Sequence, residues 1–281
     1  MPRRKVQNAK MLGRESEAAR PADPLFIASL EKGLRVLYAF KDHPRSLGLT
    51  EIAEATGLGV SAAQRFVHTW QALGYLRKDP RSRRYTLAPK LLDFSFMYQR
   101  ASGLAEIAMP HLIALGDECQ ETVNLMEPDG PDLLYVVRLP RHEIRYPSGI
   151  VGARVAAFCA SGGRAILSHL PVEEIERVLD RSDLTPRTPL TVTDRHLILE
   201  RLAEARRLGY AVVDQEGLMG EISVAGPILD DVGRPIAAVS IPVPTTRWSV
   251  EQVHEQLAPR VLATARTISR ACGAGRAFDE S

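Results

Sequence analysis

Few cysteines, few aromatic side chains and no long apolar run characterise this sequence of 281 residues. Cys119, Cys159 and Cys272 are far apart, form no CxxC pair and have no histidine at a zinc-like spacing, which argues against a disulfide scaffold and a metal site. No apolar stretch approaches the ~18–20 residues of a transmembrane helix, and no apolar signal segment follows the basic start. We therefore expect a cytoplasmic protein that uses no membrane, metal or cofactor.

Lysine is absent beyond residue 105, and the charge is unevenly divided at the same point. Residues 1–105 carry 18 lysines and arginines against 9 acidic residues, a net charge of +9. The remainder carries 18 against 25, a net charge of −7, which the overall value of +2 conceals. This asymmetry indicates that the first third of the chain contacts a polyanion and that the rest has a different role.

The length of the chain predicts two domains, because one domain commonly holds ~100–200 residues. Hydrophobic residues make up 45% and charged residues 25%, so each domain has enough apolar material for a core. Residues 1–24 are basic and polar and show no sustained apolar stripe, which indicates a flexible tail.

Helical patterns begin directly after this tail. Leucines at spacings of three and four after Ser29 predict a first helix that Ser29 caps. Thr50 would cap a short second helix, and Gly57 would end it in the left-handed conformation. Ser61 then opens a third helix after a tight turn.

The third helix is predicted to have two distinct faces. Its apolar face consists of Ala63, Phe66, Val67, Trp70 and Leu73. Its polar face consists of Ser61, Gln64, Arg65 and His68. Two short strand-like runs follow, residues 75–78 and 84–87, and predict a hairpin with a cationic tip. The cations around that tip are Lys78, Arg81, Arg83 and Arg84.

This order of elements is the pattern of a winged helix-turn-helix. A helix fits the major groove of DNA, where side chains near its start reach base edges, and flanking cations hold phosphates. Gln64, Arg65 and His68 are the expected readers of bases, since arginine pairs with guanine and glutamine with adenine. The alternatives are a solvated helix face, a capping box between Ser61 and Gln64, and a hairpin tip that is merely soluble.

The rest of the chain predicts an α+β arrangement. Residues 89–109 continue with helical periodicity, and Pro110 is expected to kink or restart that helix. Beyond it, strand-like and helical runs alternate, and the Asp129-Gly130 and Asp230–Gly233 sequences supply hairpin turns. We expect a largely antiparallel sheet flanked by helices. The predicted strands are residues 122–126, 133–138, 210–214, 222–228 and 236–241, and the predicted helices are residues 162–169, 172–180, 194–208 and 249–271.

Several short motifs resemble those of the IclR family of bacterial transcriptional regulators, over about residues 25–272. They are Ser29-Leu-Glu-Lys-Gly-Leu-Arg-Val-Leu37, Leu49-Thr-Glu-Ile-Ala-Glu-Ala-Thr-Gly-Leu58, Leu73-Gly-Tyr-Leu76, Arg84-Tyr-Thr-Leu87, Glu121-Thr-Val-Asn-Leu125, Val151-Gly-Ala-Arg154, Ser161-Gly-Gly-Arg164, Leu208-Gly-Tyr-Ala211 and Asp214-Gln-Glu216. Each motif is weak alone, and their common order and spacing carry the resemblance. Residues 135–138 and 151–154 are most similar to the subgroup that controls aromatic-acid and β-ketoadipate catabolism.

The resemblance implies a regulator that binds a palindromic promoter site in double-stranded DNA as a dimer or a pair of dimers. It also implies a GAF-like C-terminal domain that binds a small organic acid, aromatic or dicarboxylic. The expected segments are a basic tail (residues 1–24), a winged helix-turn-helix (25–88), a linker helix (89–109), an effector-binding domain (110–275) and a short tail (276–281).

A carboxylate ligand needs donors and positive potential, which the helix start at Ser161 and Gly162 would supply. By similarity to the family, Ser223 and Ser240 line the pocket from facing strands, and Asp214 lies on the loop that closes it. Each residue also has a plain structural interpretation, as a helix cap, an inward serine or a loop cap. Arg145 and Arg154 are further candidates for neutralising an acid.

Two other classes of function stay open at this point. An enzyme would use Cys159 as a nucleophile with a base such as His169, although a small buried thiol is the commoner role for such a cysteine. A second alternative is a DNA-binding protein whose C-terminal domain only oligomerises and takes no ligand.

Overall fold

The computed structural model describes residues 24–41, 46–141 and 150–273. All but the last residue of the expected tail at residues 1–24, the expected tail at 276–281 and Arg145 lie outside the described residues. The chain divides into two compact units, residues 1–98 and 99–281, which are treated separately below.

The first unit has three helices followed by a small antiparallel hairpin. The helices are α1 (Ala28–Tyr38), α2 (Leu49–Thr56) and α3 (Val60–Ala72). The strands are β1 (Leu76–Lys78) and β2 (Tyr85–Leu87), and Leu47 adds a single bridge to Tyr85. This is the predicted winged helix-turn-helix order, and the two predicted runs of the hairpin are confirmed.

The helix starts differ from the expected capping residues. The helices begin after Ile27, Gly48 and Gly59, and no side chain caps any of them at that residue. Ser29, Thr50 and Ser61 therefore lie inside the first turns, so their prediction as caps was wrong. Glu51 takes the capping role for α2 instead, because its Oε2 accepts a 2.6 Å hydrogen bond from the Gly48 amide. Gly57 does end α2 in the left-handed conformation, with φ of 68°.

The core of the first unit fixes the orientation of α3. Ala63 and Val67 are buried among residues of α1, α2 and the hairpin. Trp70 packs at the edge of the same cluster and donates from its indole Nε1 to the Gly33 carbonyl at 2.7 Å. Phe66 is also partly buried against this core. The aromatic side chains of α3 are therefore packing residues, as predicted, and the opposite face of the helix is turned to solvent.

The helical stretch that follows departs from the expected single helix. A 3-10 turn, Pro89–Leu91, precedes α4 (Leu92–Ala101), and the break comes at Ser102, where the backbone is extended. The next helix, α5 (Gly103–Cys119), continues through Pro110. Proline costs the helix one hydrogen bond, but Leu112, Leu115 and their neighbours on α5 are buried in the core of the second unit, which offsets that loss.

The second unit is built on a six-stranded antiparallel sheet with strand order β5-β4-β3-β8-β7-β6. Its strands are β3 (Val123–Asp129), β4 (Asp132–Leu139), β5 (Arg154–Ala156), β6 (Ala211–Asp214), β7 (Glu221–Leu229) and β8 (Pro235–Pro244). Its other helices are α6 (Ser161–Leu167), α7 (Val172–Arg181), α8 (Arg195–Leu208), α9 (Val250–Gln252) and α10 (Ala258–Ala271), the last two joined by a π-helical turn, Val253–Leu257. The predicted strands are confirmed, and the short β5 is an addition.

The two faces of the sheet have different partners. Alternate strand residues such as Val123 and Leu125 pack against α5 and α10 in the larger core. The opposite face carries Asn124, Met126, Ser223 and Ser240 and lies beneath α6; it is called the α6 face below. Because side chains alternate along a strand, polar residues gather on the α6 face while the other face stays apolar.

The described residues contain no helix that is long and apolar enough to span a membrane. Within the same residues, no group of histidine, cysteine, aspartate and glutamate side chains has the arrangement of a metal site.

Candidate DNA-binding and ligand-binding sites

The structure brings the predicted readers of DNA together on the outward face of α3. Ser61, Gln64, Arg65 and His68 are all exposed, one turn or less apart, and opposite the buried Ala63 and Val67. A capping box between Ser61 and Gln64 is excluded, because α3 begins after Gly59 and has no side-chain cap. The polar face of α3 is therefore free to meet a ligand from solvent.

The tip of the hairpin is a tight turn organised by Asp79. Its carboxylate accepts hydrogen bonds from the amides of Arg81, at 2.8 Å, and Ser82, at 2.6 Å. The amide and side chain of Ser82, with the amide of Arg81, lower the pKa of Asp79, so it stays ionised. Arg83 completes the turn in the left-handed region, with φ of 56°. This geometry holds two arginine side chains outward at the end of a rigid loop.

Three of the four predicted cations of the hairpin project into solvent. Arg81 and Arg83 are exposed, and the described residues place no carboxylate within ion-pair distance of either. The Lys78 ammonium lies 5.3 Å from the centre of the Tyr85 ring. Arg77, on β1, is also exposed and was not among the predicted residues. Its position in the strand-like run next to Lys78 was the signal that could have found it.

Arg84 behaves differently from the other hairpin cations. Its guanidinium donates to the Ser46 hydroxyl at 2.9 Å, to the Ser46 carbonyl at 3.0 Å and to Glu51 Oε2 at 2.6 Å. The same Glu51 oxygen accepts from the Gly48 amide. Arg84 therefore ties the hairpin to the start of α2, which makes it a positioning residue in this structure.

In the second unit, the predicted serines lie on or against the α6 face. The Ser161 and Ser223 hydroxyl oxygens are 2.7 Å apart, and Ser240 accepts a 3.3 Å hydrogen bond from the Asn124 amide. Ser161 is the first residue of α6 rather than its cap. Gly162 lies against the sheet, since a β-carbon there would come within 3.0 Å of the Met126 sulfur.

Two predicted residues are not brought to this face. Asp214 is exposed and accepts a 3.2 Å hydrogen bond from the side chain of its neighbour Gln215. Arg154 is engaged at the surface by Asp129 and, at 3.8 Å, by Asp132. Neither side chain is therefore placed to contact an acid bound beneath α6.

The structure adds four residues that sequence reasoning did not select: Asn124, Tyr135, Arg138 and Glu221. Arg138 Nη1 donates to the Asn124 amide oxygen at 3.0 Å, which continues the hydrogen-bond chain to Ser240. The Arg138 guanidinium lies 5.9 Å from the centre of the Tyr135 ring. Its Nε is buried and has no hydrogen-bond partner among the described residues.

The electrostatics of these side chains show that they share one partly desolvated space. Burial raises the pKa of Tyr135 to about 12, with a further increase from the charge of Glu221. Burial also raises the pKa of Glu221, and the nearby charge of Arg138 opposes that increase. Two strands, β3 and β8, separate β4 from β7 in the sheet. The charges of Arg138 on β4 and Glu221 on β7 thus act on each other across the sheet.

Part of this cluster had a signal in the sequence. Asn124 is a polar residue inside a strongly apolar run. Tyr135 and Arg138 are the first and last residues of segment 135–138, which is similar to the aromatic-acid subgroup. No sequence pattern marked Glu221.

A buried ion pair between Arg164 of α6 and Glu216 holds α6 in place. Arg164 is 2% exposed, and its guanidinium makes two 2.7 Å hydrogen bonds to the Glu216 carboxylate. The Arg164 Nε donates to the Phe158 carbonyl, and Glu216 also accepts from the Val192 amide. This network joins α6 to the loop between β6 and β7.

The geometry gives no support to Cys159 as a nucleophile. Burial raises its pKa to about 11, so the thiol stays protonated at neutral pH. Its sulfur contacts the Ala156 carbonyl, whereas the His169 ring contacts Ser168 and the Ala165 carbonyl.

A surface cleft of about 210 Å³ opens elsewhere on the second unit, between α6, α7 and the hairpin turns. Its lining is largely apolar, and Arg234 at its rim is paired with Glu174 at 2.8 Å. The described residues that line this cleft therefore leave no cation unpaired for an acid.

Comparisons with known proteins agree with both units. Residues 29–80 match the IclR helix-turn-helix domain, and residues 97–270 match the C-terminal domain of bacterial IclR transcriptional regulators. The chain is 33% identical to the Pca regulon regulatory protein of Pseudomonas putida over 247 residues, covering 88% of this chain and 84% of that protein. It is 32% identical over 258 residues to the p-hydroxybenzoate hydroxylase transcriptional activator of Acinetobacter baylyi, covering 90% and 94%.

A solved IclR homologue from Microbacterium hydrocarbonoxydans, complexed with 4-hydroxybenzoate, has a similar fold. Its TM-score is 0.72 at 26% identity, and the match covers 86% of this chain and 99% of that one. The recessed polar groups beneath α6, the exposed α3 face and these matches to both halves lead to one assignment. The chain belongs to the IclR family of bacterial transcriptional regulators.

Proposed function

We propose that this DNA-binding regulator, which is not an enzyme, reads its operator with α3 and the hairpin and answers to a small organic acid held on the α6 face. The observation that carries the DNA-binding part is the exposure of Arg65, Arg81 and Arg83 on two adjoining elements of one packed unit. Arg65 would contact bases in the major groove, and the hairpin arginines would contact phosphates or the minor groove.

The two roles have different signatures in a binding experiment. A duplex selected by the wild-type chain from a random-sequence pool serves as the operator, and fluorescence anisotropy gives affinity against salt concentration. Arg65→Ala should cost ~1–3 kcal/mol of specific binding and relax one base preference. Arg83→Ala should weaken binding to all sequences and reduce the salt slope by ~1. The same kind of loss from both variants would contradict this division of roles.

The effector part of the proposal is supported by the polar groups beneath α6 and by the names of the relatives. One relative regulates p-hydroxybenzoate hydroxylase, and one solved homologue holds 4-hydroxybenzoate. An aromatic acid is the ligand class that fits both. A ligand at 100 times its Kd would stabilise the protein by ~2.7 kcal/mol, so a thermal-shift panel of aromatic and dicarboxylic acids tests it. No shift across the panel would favour the alternative of a C-terminal domain that only oligomerises.

Self-association is part of the same proposal. Ile27, directly before α1, and Leu30 and Leu34 on α1 are exposed, Leu30 at 59%. Leu92 and Met97 on α4 are also exposed, Leu92 at 69%. A second copy of the chain would cover these residues and place two α3 helices on a palindromic site. Light scattering coupled to gel filtration should show a dimer or tetramer, and Leu30→Lys with Leu92→Lys should shift it toward monomer. An unchanged mass in that double variant would contradict the assignment of this surface.

The mechanism we infer is a population shift. An acid that prefers one arrangement of the sensor units would change the spacing of the paired DNA-binding units through the helices at residues 92–119. A cytoplasmic location follows from this role, since bacterial promoters lie in the cytoplasm. The mechanism fails if a bound acid leaves operator affinity, DNA bending and polymerase recruitment unchanged.

A further inference from the structure

The polar side chains beneath α6 are closed off from solvent. Ser161 is 3% exposed, Ser240 is 2% exposed and Asn124 is 1% exposed. An acid that contacts these groups, as the proposed function requires, reaches them only after a covering segment has moved. The structure identifies a segment that lies against the start of α6 and a second segment that holds the first in place.

The covering segment is the loop between β6 and β7, residues 215–220. A β-carbon on Gly217 would lie 3.6 Å from the carbonyl oxygen of Cys159, so this loop packs against the segment that enters α6. Cys159 is itself only 3% exposed. The loop therefore lies against the chain two residues before Ser161.

A strap made of residues 182–193 holds this loop through two threonine hydroxyl groups. Thr188 Oγ1 donates to the Gln215 carbonyl at 2.7 Å, and Thr191 Oγ1 donates to the Glu216 carbonyl at 2.6 Å. Thr191 Oγ1 also accepts from the amide of Thr188 at 2.9 Å, which shapes the turn of the strap. The two hydroxyl groups thus bind consecutive backbone carbonyls of the loop.

The strap detaches more easily than the elements around it. Residues 182–193 form no helix or strand, and among them only Thr188 is buried, at 7%. Leu184 and Val192, near its two ends, pack against the apolar cluster that includes Phe158, whereas its middle is held by the two hydroxyl groups. Few buried apolar contacts and exposed polar contacts are typical of a segment that opens locally.

The ion pair at the base of the loop limits how far the loop moves. The Arg164 guanidinium makes two 2.7 Å hydrogen bonds to the Glu216 carboxylate, and separating this buried pair would leave a charge uncompensated. A hydroxyl group and a carbonyl, by contrast, exchange their mutual hydrogen bond for bonds to water at small cost. Loss of the threonine contacts therefore frees the loop tip, residues 217–220, while Glu216 stays in place.

We propose that the strap is the gate of the α6 face. When Thr188 and Thr191 release the carbonyls of Gln215 and Glu216, the loop tip turns away from α6 and a small acid enters. When the two hydroxyl groups bind again, the site is closed. Both threonines are positioning residues, because they act through the loop. This inference rests on the proposed function and names how access to its effector site is regulated.

Alkylation of Cys159 measures the opening without a ligand. The full-length chain is treated with iodoacetamide, and peptide mass spectrometry follows Cys159 and Cys119 in the same sample. Thr188→Val removes the hydroxyl group at nearly constant shape and should speed the alkylation of Cys159 about fivefold, the effect of one lost hydrogen bond on an equilibrium. Cys119, buried in the other core of the same unit, should react at the wild-type rate. Thr188→Ser keeps the donor and should restore the wild-type rate at Cys159.

The matched control is Thr185→Val in the same strap. Among the contacts of the described residues, the Thr185 hydroxyl binds Asp183 and not the loop, so this variant should be alkylated as the wild type is. Thermal melts establish that each variant is folded. The gate is overturned if Thr188→Val leaves Cys159 at the wild-type rate. It is also overturned if Cys119 is alkylated faster by the same factor, because the whole unit would then be loosened.

A ligand separates the gate from the proposed function. Saturating 4-hydroxybenzoate should slow the alkylation of Cys159 in the wild type. Ligand-observed NMR should show faster association and faster dissociation in Thr188→Val, with Kd changed less than either rate, because the closed strap is common to the free and bound states. A loss of affinity through dissociation alone would contradict the gate. If 4-hydroxybenzoate does not bind, or binds without changing operator affinity, the proposed regulation by that acid falls, and the Cys159 rates decide the gate by themselves.

Discussion

In the first unit, Arg65, Arg81 and Arg83 stand in solvent, away from carboxylates of the described residues. In the second unit, Arg164 is almost wholly buried and Arg138 is partly so, each held by side chains from other elements. Exposed arginines keep their donors available to a polyanion, whereas buried ones must be satisfied inside the protein or by a ligand. The same side chain therefore indicates DNA binding in one unit and internal order or acid binding in the other, and the difference is set by burial.

The largest expected effect comes from breaking the buried pair in the second unit. Glu216→Ala would leave the charge of Arg164 uncompensated in the interior and should lower the free energy of unfolding by ~3–5 kcal/mol. Urea unfolding followed by circular dichroism measures it. The control is Glu174→Ala, which breaks the exposed pair with Arg234 and should cost ~0–1 kcal/mol. Equal losses from both variants would remove the distinction between buried and exposed arginines.

A smaller effect is expected from the packing that buries Arg164. A β-carbon on Gly163 would lie 2.1 Å from the Ala157 carbonyl oxygen, so the backbone of α6 would have to shift. Gly163→Ala should therefore destabilise the second unit by ~1–3 kcal/mol. Gly103→Ala is the matched control at another helical glycine, because nothing lies within 4 Å of its β-carbon position. A wild-type melting temperature for Gly163→Ala would contradict the close packing of Gly163 against Ala157.

Arg84 is an exception among the arginines of the first unit, because its guanidinium is paired with the Glu51 carboxylate. Its side chain is 39% exposed, so Arg84→Ala should cost ~1 kcal/mol or less of stability. Because the hairpin would lose its tie to α2, operator affinity should fall as well. A double-mutant cycle with Glu51→Ala measures the coupling. Arg83→Ala should leave stability unchanged, and a stability loss equal to that of Arg84→Ala would place the two arginines in one class.

The smallest expected effect is a pH dependence in the second unit. Burial, with a contribution from the charge of Arg206, lowers the pKa of His169 below its ordinary value of 6.5. The unfolded chain thus binds a proton more readily than the folded one, so this contribution to stability is lost as pH falls below about 6.5. His169→Gln should flatten the stability profile below about pH 6.5. An unchanged slope in that variant would assign the dependence to other groups.

Local patterns predicted the first unit well, because a helix face and a hairpin depend on neighbouring residues. The opposite faces of α3 and the two strands of the hairpin followed from spacing alone. The helix starts did not, since Gly48 and Glu51 form a capping contact that Thr50 was expected to make. Arg84 looked like the other cations of the tip, and only its contact with the distant Ser46 showed its different role.

The ligand site was predicted less well, because its residues come from separate strands and meet only through the pairing of the sheet. Ser161, Ser223 and Ser240 do lie on or against the α6 face, although their roles stay predictions. The charges of Arg138 and Glu221 act on each other although two strands of the sheet lie between β4 and β7. Their separation of more than eighty positions in the sequence left no periodic signal for it.

The hydrogen bond that holds Trp70 in the first unit has a practical consequence. The chain has two tryptophans, and the other, Trp248, lies in the second unit with its indole bound to Glu121 at 2.8 Å. Each unit thus carries one tryptophan, fixed by a contact within that unit, and excitation at the red edge of the absorption band selects it over the tyrosines. The emission of a Trp248→Phe variant would report the melting of the DNA-binding unit alone, and that of Trp70→Phe the melting of the sensor unit. The order in which the two units unfold can be followed optically, without a label.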